Sequence, residues 1–356
     1  MSLTKRPAAQ GLQVAGWQHK NFHREAGGGV KHMSLPMKRL LTGAITVITT
    51  ASAVCAHAQS PGYPLRPVRV IVPFVAGVGA DLMARQIASK LSERLGQQFV
   101  IDNRGGGGGL IGMELTATAA PDGYTVLFSS ASYAAAMALR QSSYGMLSSL
   151  VPVSHVAAAP YVVTVHPSLP TTMQGLLDLA RAKPGDLGYA STGIGGLTHL
   201  ATELLLSMAK VRMTHVPYKG AGAAMPDVLA GRTPVLINPA ISMVGHYQTG
   251  RLRPLAVTGS TRLPDLPDVP PVQDTVPGYV VYTWYGIFAP RGTPGSAIGV
   301  LNTTMNRILD EREVKKNFLS QGAEVTGGAP ALLGKIVRED YERWAKVVRD
   351  NKITAD

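Results

Sequence analysis

Residues 69–95, RVIVPFVAGVGADLMARQIASKLSERL, constrain the fold more than any other stretch of the chain. From 68 to 74 the side chains are apolar apart from Arg69 and rich in β-branched types, the pattern of a strand buried on both faces of a parallel sheet. A glycine-punctuated loop, 75–80, follows, and Asp81 stands where a helix N-cap belongs. Beyond it Met83, Ile87, Ala88, Leu91 and Leu95 recur at helical spacing, with Gly96 in the place of a C′ glycine. Strand, glycine loop and capped helix in that order leave unpaired backbone N–H groups at the carboxyl edge of a sheet. That is the geometry of an anion site.

Upstream, 33–58 reads MSLPMKRLLTGAITVITTASAVCAHA: a basic start at Lys38-Arg39, an apolar run, then Ala56-His57-Ala58 before Gln59. This is the layout of a signal peptide cleaved after Ala58, and it predicts export to a periplasm. Residues 1–32 lack periodicity and read as an extension upstream of the true start at Met33 or Met37. The single cysteine, Cys55, falls in the segment to be removed, so neither disulfides nor thiol chemistry are expected afterwards. The exported part, 59–356, holds 27 Lys and Arg against 21 Asp and Glu, a formal charge of +6. That balance suits small anions, and without a dense basic patch no nucleic acid partner is expected.

Past 95, strand-like and helix-like segments alternate. Strands are expected at 99–101, 124–128, 161–165, 187–190, 211–216, 235–237, 255–258 and 279–288. Helices are expected at 111–119, after Thr172, and at 197–208, 221–230 and 240–248. Thr293-Pro294 should open a helix running to Leu309, and Pro330 the last one, striped by Leu333, Val337, Tyr341, Trp344 and Val348. Ser129 to Ser132 reads as a polar loop. The class is α/β with largely parallel sheets, and 298 residues favour two domains.

Few enzyme motifs are present: no Gly-x-Ser-x-Gly, P-loop or His-Glu-x-x-His. The five histidines after residue 58 (155, 166, 199, 215 and 246) have no ligand-like spacing, and no metal site is expected. Gly107-Gly108-Gly109-Leu110-Ile111-Gly112 fits Gly-x-Gly-x-x-Gly between a strand and a helix. Five consecutive glycines match such a pattern cheaply, and no acidic residue follows about twenty positions on to hold a ribose. The alternative it represents is a secreted α/β enzyme with a nucleotide cofactor on the loop from Gly107 to Gly112.

Several motifs in order carry a sharper signal: Val72-Pro73-Phe74 with the loop to Asp81, Asp102-Asn103-Arg104 with its glycine run, and Ala120-Pro121-Asp122-Gly123-Tyr124. They continue with Tyr189-Ala190-Ser191 before Thr198-His199, His215-Val216-Pro217-Tyr218-Lys219-Gly220, and Trp284-Tyr285-Gly286 with Ala289-Pro290. Over about 63–353 the chain resembles the Bug family, the periplasmic solute-binding proteins of tripartite tricarboxylate transporters. The resemblance implies a type II periplasmic-binding-protein fold, two α/β domains with a ligand cleft between them. Domain 1 would be 59–157 and 262–356, and domain 2 would be 158–261. It implies a monomeric receptor, without enzymatic activity or cofactor, that closes on a small carboxylate and delivers it to membrane permease subunits. Phe74, Gly77, Val78 and Asp81 would grip from one side, and Ser191, Thr192, Gly193, Thr198 and His199 from the other, helped by Ser129, Ser130 and Asn238.

The residues alone leave roles open. Asp81 suits a plain N-cap, Ser191, Thr192 and Thr198 suit capping as well as ligand contact, and His199 could pack instead of binding. Tyr218 and Lys219 suit loop structure or a permease-facing surface. The first loop, Ala76-Gly77-Val78-Gly79-Ala80-Asp81, lacks the hydroxyls of the family's usual Pro-Gly-Gly-Ser-Thr-Asp. The second carries Ile194, Gly196 and Leu197 where polar residues are common. If Val78, Ile194 and Leu197 line the cleft, the ligand should be an acid with an aliphatic or aromatic body, bound better than citrate.

Overall fold

In the computed structural model, which describes residues 62–354 apart from 78, 107–108, 141–147 and 241–242, the apolar run becomes strand β1 (Val68–Val72). The expected extension 1–32, the signal peptide 33–58, Val78, Gly107 and Gly108 lie outside the described residues. β1 lies between β2 (Phe99–Asn103) and β3 (Thr125–Ser130), parallel to both. Strand alternation divides its side chains. Val68, Val70 and Val72 pack with Met83, Ile87 and Leu91 of α1 (Gly79–Leu95) and Leu301 and Met305 of α8 (Gly295–Leu309). Ile71 joins the opposite core, with Leu110 and Met113 of α2 (Leu110–Ala117), Ala134 and Met137 of α3 (Ser132–Leu139), and Leu333 and Trp344 of α10 (Pro330–Asp350).

The sheet is mixed, which corrects the expectation of largely parallel strands. β9 (Tyr282–Pro290) runs antiparallel to β3, and β4 (Leu150–Val165) antiparallel to β9. Only 161–165 of β4 is legible in the sequence as strand, because Pro152 and Pro160 break the apolar run. Each proline sits where a missing N–H is tolerated. A register shift follows Pro152, and Pro160 is the residue at which β4 leaves β9 and takes up its next partners.

Those partners are β7 (Val235–Pro239) and β8 (Arg253–Val257), both antiparallel to β4. β5 (Gly188–Ser191) then pairs parallel with β7 and with β6 (Thr214–Pro217). The path reads β2-β1-β3-β9-β4-β7-β5-β6, with β8 and the short β10 (Glu324–Val325) also on β4. β4 is common to both halves of the sheet, and the described residues fall in one contact unit, Pro61–Asp356.

Local signals hold where a named atom makes the cap. Thr172 accepts the Gly175 N–H at 3.1 Å and opens α4 (Met173–Ala182). Gly96 ends α1 at φ 68°, and Pro330 takes the first turn of α10. Thr293 differs: its hydroxyl donates to Pro290 O at 2.8 Å and leaves α8 uncapped by a side chain. α3 and α9 (Arg312–Leu319) are new. The α3 sequence SYAAAMAL is buried nearly all round and so shows no apolar stripe. Ser129 and Ser130 correspondingly end β3 rather than forming a loop. No helix among the described residues is long and apolar enough to cross a membrane.

Candidate functional site

Two strand-to-helix turns carry the predicted residues. The first joins β1 to α1. Asp81 is not the N-cap: the helix begins at Gly79, and the carboxylate reaches back over its own first turn. Oδ2 accepts the Gly77 N–H at 2.9 Å and Arg85 Nε at 2.9 Å, while Oδ1 accepts Asn103 Nδ2 at 2.8 Å. Burial pushes the Asp81 pKa up, but Arg85, the Gly77 N–H and Asn103 outweigh it and hold it below the ordinary aspartate value. Asn103, paired in register with Val72 at the root of the loop, also donates to Phe74 O at 3.1 Å and accepts Arg85 Nη2 at 3.0 Å. Phe74, Gly77 (φ 85°) and Asp81 are thus one braced loop. The first-turn amides of α1 at Gly79, Ala80 and Asp81 have no place in the helix ladder.

The second turn joins β5 to α5 (Leu197–Ala209) and uses its hydroxyls on itself. The Thr192 N–H donates to Thr198 Oγ1 at 3.0 Å, and the two threonine hydroxyls bond at 3.0 Å. Ser191 Oγ accepts the Gly193 N–H at 3.2 Å and lies 2.6 Å from His215 Nε2. His199 Nδ1 accepts the Gly195 N–H at 3.0 Å, and the Gly196 N–H donates to Gly193 O at 3.2 Å. What the loop leaves for a ligand is the first-turn amide set of α5, at Leu197, Thr198 and His199.

Behind this loop three rings are stacked. His199 and His215 lie 3.8 Å apart with planes at 10°, and Tyr189 lies to one side, 5.0 Å from His215 and 6.3 Å from His199. The Tyr189 hydroxyl donates to Glu203. Burial lowers the His215 pKa to about 4, and burial together with His215 lowers His199 to about 3, so both rings are neutral at pH 7.

Ser129 and Asn238 are the predicted residues whose polar atoms are left over. Ser129 Oγ is fully buried and Asn238 Nδ2 sits in a side chain 3 % exposed, and neither has a hydrogen-bond partner. Ser130 Oγ, by contrast, accepts the Ser132 N–H at 3.3 Å. Ser129 pairs in register with Gly286, whose other neighbour is His155. Both ring nitrogens of His155 are also unpartnered, and burial lowers its pKa to about 4.

Several expectations change. Leu197 is 1 % exposed and belongs to the core, so it cannot line a cleft, whereas Ile194 is 40 % exposed. Tyr218 is loop structure: its hydroxyl donates to Asp227 Oδ2 at 2.7 Å. Gly112 lets α2 approach the end of β1, since a Cβ there would meet Pro73 Cβ at 2.9 Å and Arg104 O at 3.0 Å. Asn103, Arg85, His155 and His215 were not among the expected site residues. The signal for Asn103 is its place at the carboxyl end of a strand beside β1. Among the described residues no group of three or more His, Cys, Asp or Glu could hold a metal ion, and no hydrogen bond joins the two loops.

The family model described as Tripartite tricarboxylate transporter family receptor matches residues 83–353. The chain belongs to this family. It is 35 % identical to Protein BugT of Bordetella pertussis over 319 residues, covering 88 % of this chain and 98 % of that one. Among solved structures it is similar to Rpa4515 of R. palustris with adipate: TM-score 0.76, 36 % identity, 82 % of this chain and 99 % of the other. MatC from Rhodopseudomonas palustris with bound malate gives 0.73 and 31 %, covering 80 % and 100 %. The receptor therefore has the periplasmic-binding-protein fold and belongs with solute-binding proteins rather than enzymes, which sets aside the nucleotide-cofactor alternative.

Proposed function

We propose that this receptor captures an aliphatic dicarboxylate between the β1–α1 and β5–α5 loops and hands it to the permease of a tripartite transporter. The observation that carries this is the pair of leftover donors, Ser129 Oγ and Asn238 Nδ2, near the ends of β3 and β7, the strands paired with β1 and β5, which lead to the two loops. Buried polar atoms without partners are uncommon, and a bound anion would satisfy them. Two helix N-termini supply further amide donors without a cation. The halves 59–157 with 262–356, and 158–261, would act as two lobes that close on the ligand in a monomer. Residues 33–58 would direct export to the periplasm.

An unhydroxylated acid is favoured because Ser191, Thr192 and Thr198 already spend their hydroxyls on one another and on His215. A hydroxy acid would find few free partners there, whereas exposed Ile194 rewards buried carbon. Adipate and malate, bound by the two similar proteins, frame the test. Calorimetry should give adipate tighter than malate and malate tighter than citrate, with Asn238→Ala weakening adipate by about tenfold. Tightest binding to citrate, or an Asn238→Ala variant with unchanged affinity, would overturn the reading.

A further inference from the structure

Ser191 and His199 shape the second loop, but they lie eight positions apart and do not touch each other. His215, contributed by the neighbouring strand β6, touches both. Its Nε2 lies 2.6 Å from Ser191 Oγ, and its ring stacks on His199 at 3.8 Å, with the Tyr189 ring 5.0 Å away to one side. Each of those two residues in turn holds one loop amide, Ser191 the Gly193 N–H and His199 the Gly195 N–H.

We propose that His215 is the positioning residue of the β5–α5 loop, fixing Gly193 through Ser191 by a hydrogen bond and Gly195 through His199 by ring stacking. The two routes are chemically distinct. The first needs a polar atom at the Nε2 position, and the second needs a flat ring against His199. Holding Gly193 and Gly195 turns the intervening Ile194 and the first-turn amides of α5 in one direction. For ligand capture this rests on the proposed function, but for the conformation of the loop it does not.

The difference between the routes gives the test. Amide hydrogen exchange at Gly193 and Gly195 is followed by NMR in the ligand-free receptor and in His215→Phe, His215→Gln and His215→Ala. Phe keeps the ring and loses the hydrogen bond, so Gly193 should exchange about tenfold faster while Gly195 stays protected. Gln keeps a polar atom and loses the stack, so the pattern should reverse, and Ala should release both. Adipate affinity should fall by about tenfold in His215→Ala and by less in the other two. If both amides loosen together in every variant, His215 is general packing and the proposal is overturned. It is equally overturned if neither amide responds, or if a receptor that binds adipate does so unchanged after His215→Ala. A wild-type receptor that binds none of adipate, malate and citrate would sink the proposed function instead, and the exchange pattern would still decide the role of His215.

Discussion

Asp81 keeps a charged carboxylate at 1 % exposure, which water-free surroundings would penalise by several kcal/mol if it stood alone. Three donors from three places answer that cost: Gly77 in the loop, Arg85 one turn along the helix, and Asn103 on the neighbouring strand. Removing Asn103 strips a donor from both Asp81 and Phe74 O, so Asn103→Ala should lower the unfolding free energy by about 2 kcal/mol. Asn103→Asp should be worse at pH 7, because it sets a second carboxylate against the first. Urea unfolding of the three proteins checks this, and an Asn103→Asp variant as stable as the wild type would contradict it. At this scale the sequence reveals residues that act within one turn of the chain. Asp81 and Gly77 are four apart and readable together, whereas Asn103 and His215 reach their partners from other strands.

Between elements, α3 packs closely against the second loop at Gly195. A Cβ built on Gly195 would lie 2.1 Å from Leu139 Cδ2, and Gly195 also has φ 69°. Gly195→Ala therefore carries two penalties, a clash and left-handed backbone strain of about 1 kcal/mol. Adding Leu139→Ala should remove the clash but not the strain, so the double variant should cost less than the sum of the singles, a coupling of about 1 kcal/mol or more by urea unfolding. Simple additivity would mean that Leu139 moves aside freely. Neither helix nor contact was legible beforehand. The alanine-rich α3 is buried all round, and periodicity reports only a boundary between core and water. β4 makes the same point, since its prolines look like strand breakers until its exchange of partners is seen.

For the molecule as a whole, buried histidines set the response to acid. An unfolded histidine takes its proton near pH 6.5, whereas His155 and His215 do so near 4 and His199 near 3. Below about 6.5 the unfolded state binds more protons, so stability falls as pH drops from about 6.5 towards 4. Asp81 and Asp102 extend the loss lower. Burial raises both, but their hydrogen-bond donors outweigh it, so their contribution is present above 3.8 and disappears as pH falls through their lowered values. Asp340 opposes the trend. Burial raises its pKa despite the hydrogen bond from Trp284, so the fold holds its proton more tightly than the unfolded chain. The urea midpoint should therefore be lower at pH 5 than at pH 7.5, and His155→Leu should flatten that slope, because its unpartnered ring is replaced by carbon. A midpoint independent of pH between 7.5 and 4.5 would rule this out.

The sequence by itself determined the α/β class, the two glycine turns and most helix starts, because each rests on periodicity or capping within a few residues of chain. A run of motifs in order also sufficed to indicate the receptor family. The tertiary structure alone decided the mixed sheet, the continuity of β4 through both halves, and the core position of Leu197. It also decided that the second loop's hydroxyls bond to one another and to His215 while Ser129 Oγ and Asn238 Nδ2 stay unpartnered. Hydrogen bonds form between whichever groups the fold brings within about 3 Å, and a chain read in one dimension contains no such distances.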